Sequence, residues 1–298
     1  MKNGVVIINK EIGPTSQGVV NRVKRIFGAS KAGHTGTLDP MATGVLPILI
    51  GRATALSQYL IDANKSYSAK IKLGTVTDTC DITGNVISVS NVNVGLADIQ
   101  SVLKKFEGRQ KQIPPMYSAI KQNGVRMYEL ARRGETAEIP ARDIEVFSLD
   151  LKSALNSENE FDIETTVSKG TYIRSLCRDI GEALGCGATL TKLCRTKTAG
   201  FSLEQCIDLD SLDADNIFNY ILPADTAVEY MPQISVTERQ AVRFSNGGQL
   251  SRDRLKQNDF LNGELYRVYC GDKFLGLGQA DIQKECLNIA CIIETFGR

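Results

Sequence analysis

The chain contains no tryptophan and a single histidine, His34. One imidazole cannot supply a His-rich metal centre or a pair of shuttling histidines. Its eight cysteines (Cys80, Cys177, Cys186, Cys194, Cys206, Cys270, Cys286 and Cys291) form no Cys-x-x-Cys pair, which argues against the common zinc frameworks. They are expected to be reduced and mostly buried thiols. No apolar run approaches the ~18 residues a membrane helix needs. The opening stretch Met1-Lys2-Asn3-Gly4-Val5-Val6-Ile7-Ile8-Asn9 lacks a signal-peptide core and reads as a first strand, so a cytoplasmic location without a membrane partner is expected. There is no Walker-type phosphate loop, no internal repeat and no low-complexity tract. Nucleotide hydrolysis is accordingly a poor reading.

What is present is an ordinary globular composition, 42% apolar and 23% charged over 298 residues. That length suggests two domains at roughly 150 residues each. Net charge is only +1, yet its distribution is uneven. Residues 102–133 carry Lys104, Lys105, Arg109, Lys111, Lys121, Arg126, Arg132 and Arg133 against Glu107 and Glu129, whereas residues 204–230 hold acids and no Lys or Arg. A near-neutral protein can still present a basic face to phosphates, although solvated charged faces would give the same pattern.

The most informative stretch is Gly33-His34-Thr35-Gly36-Thr37-Leu38-Asp39-Pro40-Met41-Ala42-Thr43-Gly44. Its glycines permit tight turns, Pro40 drives Asp39 towards an extended conformation, and Asp39 is a candidate nucleophile or base. Apolar runs on both sides suggest a loop held on a rigid scaffold. Before it, Val5–Ile8 reads as a buried strand, and Val19, Val20, Val23, Ile26 and Phe27 as a helix that Gly28 stops. After it, Val45–Gly51 reads as a strand, with Pro47 suggesting an edge or an irregular start, and Thr54–Leu60 as a short helix.

Tyr67, Ala69, Ile71 and Leu73 then alternate with polar residues, as in a strand with one buried face. Thr77-Asp78-Thr79-Cys80-Asp81 with Gly84 reads as a turn rich in side-chain-to-backbone bonds. Leu96 to Phe106 gives an amphipathic helix, followed by the basic, tyrosine-bearing stretch Gln112–Gly134, which suits RNA backbone contacts and base stacking. Phe161 to Val167 alternates as a strand. It runs through Ser168-Lys169-Gly170-Thr171-Tyr172-Ile173-Arg174 into a helix closed by Gly185. Arg174 in the first helical turn opposes the macrodipole and invites a carboxylate partner. Beyond Met231 the pattern becomes a compact, mostly β unit.

Five of these segments, in order, resemble the motifs of tRNA pseudouridine synthases of the TruB family: the Gly33–Gly44 loop, Lys65-Ser66-Tyr67, the Thr77–Gly84 turn, Gln112–Gly134, and Ser168–Leu176. Two departures are visible: Lys10-Glu11 where the family has Lys-Pro, and Cys194 where it has the first arginine of a Leu-Arg-Arg strand. The resemblance implies an α/β (α+β) fold. A mixed, largely antiparallel sheet flanked by helices would form a catalytic domain over residues 1–230, with a thumb-like RNA-binding insertion at about 109–141. A small PUA-like RNA-binding β domain would occupy 231–298. It also implies isomerisation of the T-loop uridine at tRNA position 55, without cofactor or metal.

Asp39 would attack at the sugar C1′ or at uracil C6, or would initiate elimination. Arg174 would hold it ionised, and Tyr67 would stack on the uracil and take the proton from C5 late in the reaction, or place a base that does. His34 would fill the space of an extruded base, and Tyr172 and Leu193 would line the pocket. The expected partner is the tRNA T-arm stem-loop, with the protein acting as a monomer without an obligate protein partner. A non-catalytic RNA-binding or RNA-folding module on the same scaffold is the alternative. A guide-RNA-dependent relative is a third reading, less favoured because such chains tend to be longer and basic-tailed.

Overall fold

In a computed structural model of the chain, the described residues are 3–117, 121–122, 125–127, 133, 139–255 and 260–297. Two compact units emerge. One comprises Met1–Asp39, Leu46–Ile61 and Ala199–Arg298, the other Pro40–Val45 and Asp62–Thr198.

The second unit is built on five strands. Ala188–Thr198, Lys65–Leu73, Glu160–Val167, Arg142–Leu151 and Gly108–Gln112 pair in that order, each antiparallel to the next. Period-two alternation explains the central strand, where Tyr67, Ala69, Ile71 and Leu73 are buried and the intervening residues are partly exposed. The helix Ile173–Ala183 packs beside Ala188–Thr198 through Ile173, Leu176, Cys177 and Ile180. The helix Leu96–Lys105 buries Ile99, Val102 and Leu103.

Gly44 is the second residue of the Thr43–Ile50 strand and pairs with Arg195. Its φ is +102°, and a Cβ there would lie 2.2 Å from the Arg195 carbonyl oxygen. Glycine is required at this position by both conformation and contact.

In the first unit, Gly4–Lys10 is flanked by Ile207–Asp208 in parallel, by Leu222–Pro223 antiparallel, and by the Thr43–Ile50 strand. The helix Ser16–Ile26 is capped by Thr15, whose side chain accepts from the Gly18 N–H at 3.0 Å. A second set of strands pairs in the order Gln233–Ser235, Leu265–Cys270, Lys273–Asp281, Cys286–Ile292, Leu250–Ser251. The helix Glu238–Ser245 closes its core, in which Phe244, Tyr266, Val268, Leu275 and Leu287 are buried. Asn3 ties the two ends of the chain together. Its amide donates to the Ile293 carbonyl at 3.0 Å and to Glu294 Oε1 at 2.8 Å, and its oxygen accepts from the Arg52 N–H at 2.8 Å.

Two local expectations are corrected. Pro47 does not mark an edge, since its strand has Gly4–Lys10 on one side and Ala32–His34 pairing with Ile48–Ile50 on the other. The proline falls just outside that paired stretch, where a missing N–H costs little. The helix expected over Thr54–Leu60 is a 3₁₀ segment, Gly51–Leu56, followed by a single α-turn, Ser57–Leu60. Of the basic stretch after Gln112, Ser118–Ile120, Gly124, Tyr128, Ala131, Arg132 and Gly134 lie outside the described residues; Lys121–Gln122 and Val125–Arg126 form a short antiparallel ladder. All eight cysteines are free, and Cys177, Cys186, Cys286 and Cys291 are buried.

The Gly44 contact yields a stability test. Gly44→Ala should cost about 3 kcal/mol or more, because the added methyl must displace the Arg195 backbone in addition to adopting a positive φ. Urea unfolding of the variant against wild type measures it.

Candidate active site

One of the boundaries between the two units falls at the Asp39–Pro40 peptide. His34 and Asp39 therefore belong to the first unit, and Tyr67, Tyr172, Arg174 and Leu193 to the second. Asp39 is half-buried, and it follows the buried Leu38. The backbone of Leu38 is gripped from both sides by one side chain. Its N–H donates to Ser16 Oγ at 2.8 Å, and the Ser16 hydroxyl donates to its carbonyl at 2.9 Å. Ser16 is itself fully buried at the start of its helix. The residue before Asp39 is thus fixed to a helix twenty-two positions upstream, so the carboxylate is presented from rigid backbone. His34 ends the short Ala32–His34 strand and pairs with Ile48. Its Nδ1 accepts from the Gly36 N–H at 3.2 Å, which places the proton of a neutral imidazole on Nε2.

Tyr67 and Leu193 are brought to one face of the second unit's sheet. Ala69 pairs with Leu193, and Tyr67 lies two residues away with Arg195 on one side and Thr165 on the other. Directly paired residues share a face, so Tyr67, Leu193, Arg195 and Thr165 are neighbours there. Arg195 is 1% exposed, and its Nε donates to the Val45 carbonyl at 2.8 Å. Cys194 stands where the family has an arginine, and the arginine that remains is this buried one.

Arg174 is buried as well. It forms an ion pair with Asp81 at 3.6 Å, both side chains 5% exposed. Its Nη groups also donate to the Thr79 carbonyl at 3.2 Å and the Tyr117 carbonyl at 2.8 Å. Asp81 in turn accepts at Oδ1 from Thr79 Oγ1 (2.8 Å), the Thr83 N–H (2.9 Å) and Thr83 Oγ1 (2.5 Å). Tyr172 is the N-cap of the same helix. Its backbone is clamped as Leu38 is: its N–H donates to Gln112 Oε1 at 2.8 Å and its carbonyl accepts from Gln112 Nε2 at 3.1 Å.

Sequence reasoning missed three of these supports. Asp81 was read only as a member of a turn. Nothing in the local sequence singles out Ser16, and Gln112 reads only as the start of the basic stretch. Two signals were available: Arg174 demanded a carboxylate, and Asp81 was one of few acids in a family-like segment.

The TruB family pseudouridylate synthase N-terminal domain matches residues 24–173. The tRNA pseudouridylate synthase B C-terminal domain matches 174–229, and the pseudouridine synthase II TruB C-terminal domain matches 232–286. The tRNA pseudouridine synthase B of Clostridium kluyveri is 42% identical over 278 residues, covering 93% of this chain and 95% of that protein. The protein of the same name from Clostridium novyi is 44% identical over 277 residues, with the same coverage. Among solved structures, a chain of a Cbf5–Nop10–Gar1 complex superimposes with a TM-score of 0.72 at 29% identity, covering 98% of this chain and 84% of that one. A chain of an H/ACA RNP bound to a substrate RNA containing 2′-deoxyuridine also gives 0.72, at 26% identity, with 99% and 85% covered. The fold and these matches define a pseudouridine synthase scaffold. The chain belongs to the TruB family.

Three substitutions separate these supports. Asp81→Ala leaves the Arg174 charge buried without its carboxylate and should cost about 3–5 kcal/mol in urea unfolding. Asp78→Ala, in the same turn, removes exposed hydrogen bonds to Asn85 and should cost about 1 kcal/mol. Ser16→Ala strands two buried backbone groups of Leu38 and should cost about 1–3 kcal/mol by the same measurement.

Proposed function

We propose that this protein is a tRNA pseudouridine synthase that isomerises the T-loop uridine at position 55, with Asp39 as the nucleophile. The observation that carries the reading is an intact candidate set, Asp39, Tyr67 and Arg174, in a chain of the TruB family whose curated relatives are named tRNA pseudouridine synthase B. Each of the three sits on backbone held by buried polar contacts or within a sheet.

The reaction breaks the N1–C1′ bond, turns the uracil and joins C5 to C1′, so no electron transfer or external energy is needed. A carboxylate suits the task because it is ionised at neutral pH and can leave again. Asp39 would act at C1′ or C6, or would start an elimination. Arg174, itself fixed by Asp81 and two carbonyls, would keep the Asp39 carboxylate charged and oriented. Tyr67 would stack on the uracil, with Leu193 beside it on the same sheet face and Tyr172 completing the pocket. His34 offers a flat ring for the space left by the extruded base.

Residues 1–230 would form the catalytic domain, with the insertion at about 109–141 folding over the stem-loop. Residues 231–298 would add a PUA-like RNA-binding domain. The protein would work in the cytoplasm as a monomer. At the described end of the insertion, Arg109 and Lys111 are paired with Glu145 and Asp143, both at 3.4 Å. Phosphates would therefore have to compete with these carboxylates for the cations.

The test is pseudouridine formation on an isolated T-arm stem-loop, without added metal. Wild type should convert the RNA, and Asp39→Asn should be slower by about 10⁴-fold or more while still binding it. Tight binding with no conversion by either protein would leave an RNA-binding module. Equal conversion by both would mean that the nucleophile lies elsewhere.

A further inference from the structure

Lys65 begins the strand that carries Tyr67. Residues i and i+2 of a strand leave the same face, about 7 Å apart, so the Lys65 stem rises from the face on which Tyr67 and Leu193 lie. On that face Lys65 has Val167 on one side and Thr198 on the other, with Thr165 and Arg195 flanking Tyr67. Lys65 is half-buried, and its Nζ donates to the Ala63 carbonyl at 2.7 Å.

Three charged groups act on it, Arg195, Asp62 and Lys169. Arg195 is buried on the adjacent strand. Lys169 comes from the loop after Glu160–Val167, and Asp62, the acid of this cluster, is already engaged by Lys169 at 2.6 Å. Burial first, and then the Arg195 guanidinium, push the Lys65 ammonium down to about 8; Asp62 opposes the shift and Lys169 adds to it.

We propose that Lys65 is a further catalytic residue whose neutral amine takes the proton from C5 of a uracil stacked on Tyr67. This rests on the pseudouridine reading above. Whichever first step Asp39 takes, the routes converge once C5 has bonded to C1′, because C5 then carries one hydrogen too many. The C5–H bond breaks and its electron pair forms the C5=C6 double bond, while the C6=N1 pair moves onto N1, which takes a proton from water. If Asp39 had added at C6, the C6–O bond breaks instead and frees the carboxylate. The C5 proton makes a new N–H bond on Nζ. The resulting ammonium returns its proton to water. The sheet supplies the geometry: the aromatic ring that would hold the base and the amine that would deprotonate it stand on one strand, in fixed register.

The experiment is single-turnover conversion of a stem-loop carrying uridine or 5-deuterouridine, across pH 6–9.5, by wild type, Lys65→Arg and Lys65→Gln. Arginine keeps the charge and the long stem but does not release a proton in this range. In wild type the rate should rise as pH passes through about 8. In both variants it should fall by about 10²–10⁴-fold, the rise near pH 8 should vanish, and a primary deuterium effect should appear as C5–H cleavage becomes limiting. Partial recovery of Lys65→Gln by added methylamine should follow. Stem-loop binding checks that each variant is folded; if Lys65→Arg is not, Lys65→Gln with amine rescue decides.

A Lys65→Arg protein converting at the wild-type rate would overturn the proposal. So would a slowed variant that keeps the pH rise and shows no deuterium effect. Failure of wild type itself to lose the C5 label would instead overturn the pseudouridine reading, and this inference with it.

Discussion

A buried guanidinium organises the second unit of this molecule. Arg174 occupies the first turn of its helix, where the dipole repels a cation, and is almost wholly removed from water. Such a charge is tolerable only if its donors are met by acceptors of fixed geometry. Asp81 and the carbonyls of Thr79 and Tyr117 meet it here. Asp81 in turn needs its other oxygen satisfied, and Thr79 and Thr83 do so by folding the turn around it. One charge thereby dictates the path of the turn from Thr77 to Gly84, the start of the helix and the course of the chain at Tyr117. A rigid, preorganised arginine is also what a reacting carboxylate needs from a partner.

The same economy recurs at the other candidate residues. Ser16 holds both backbone groups of Leu38, and Gln112 holds both of Tyr172. In each case a buried polar side chain closes the hydrogen bonds that a loop entering the interior would otherwise leave open. The sheet face carrying Lys65, Tyr67, Arg195 and Leu193 adds a different kind of rigidity, because strand register fixes which side chains stand together. Burial in that sheet, and then the Arg195 guanidinium, lower the Lys65 ammonium to about 8.

Much of this was legible beforehand for a physical reason. Alternation in Lys65–Leu73 and in Glu160–Val167, and helical spacing after Thr15 and after Tyr172, depend only on which face each residue shows, and local sequence records that directly. The Gly33–Gly44 loop was legible through its resemblance to a TruB-family motif, since glycine, proline and aspartate alone would suit any turn. Pro47 misled because proline forbids one hydrogen bond without saying whether a partner would have asked for it. The Thr54–Leu60 helix was misjudged because a turn's apolar spacing fits 3₁₀ and α geometry nearly equally well.

The sequence by itself determined most of the elements and the family, since each is written in short-range pattern or motif. Only the tertiary structure decided that Arg174 is held by Asp81, that Ser16 grips the residue before Asp39, and that Lys65 and Tyr67 share a face with Arg195. Those contacts join residues up to 130 positions apart, from Lys65 to Arg195. Burial, desolvation and register arise from the assembled sheet and helices and have no counterpart in any local stretch of chain.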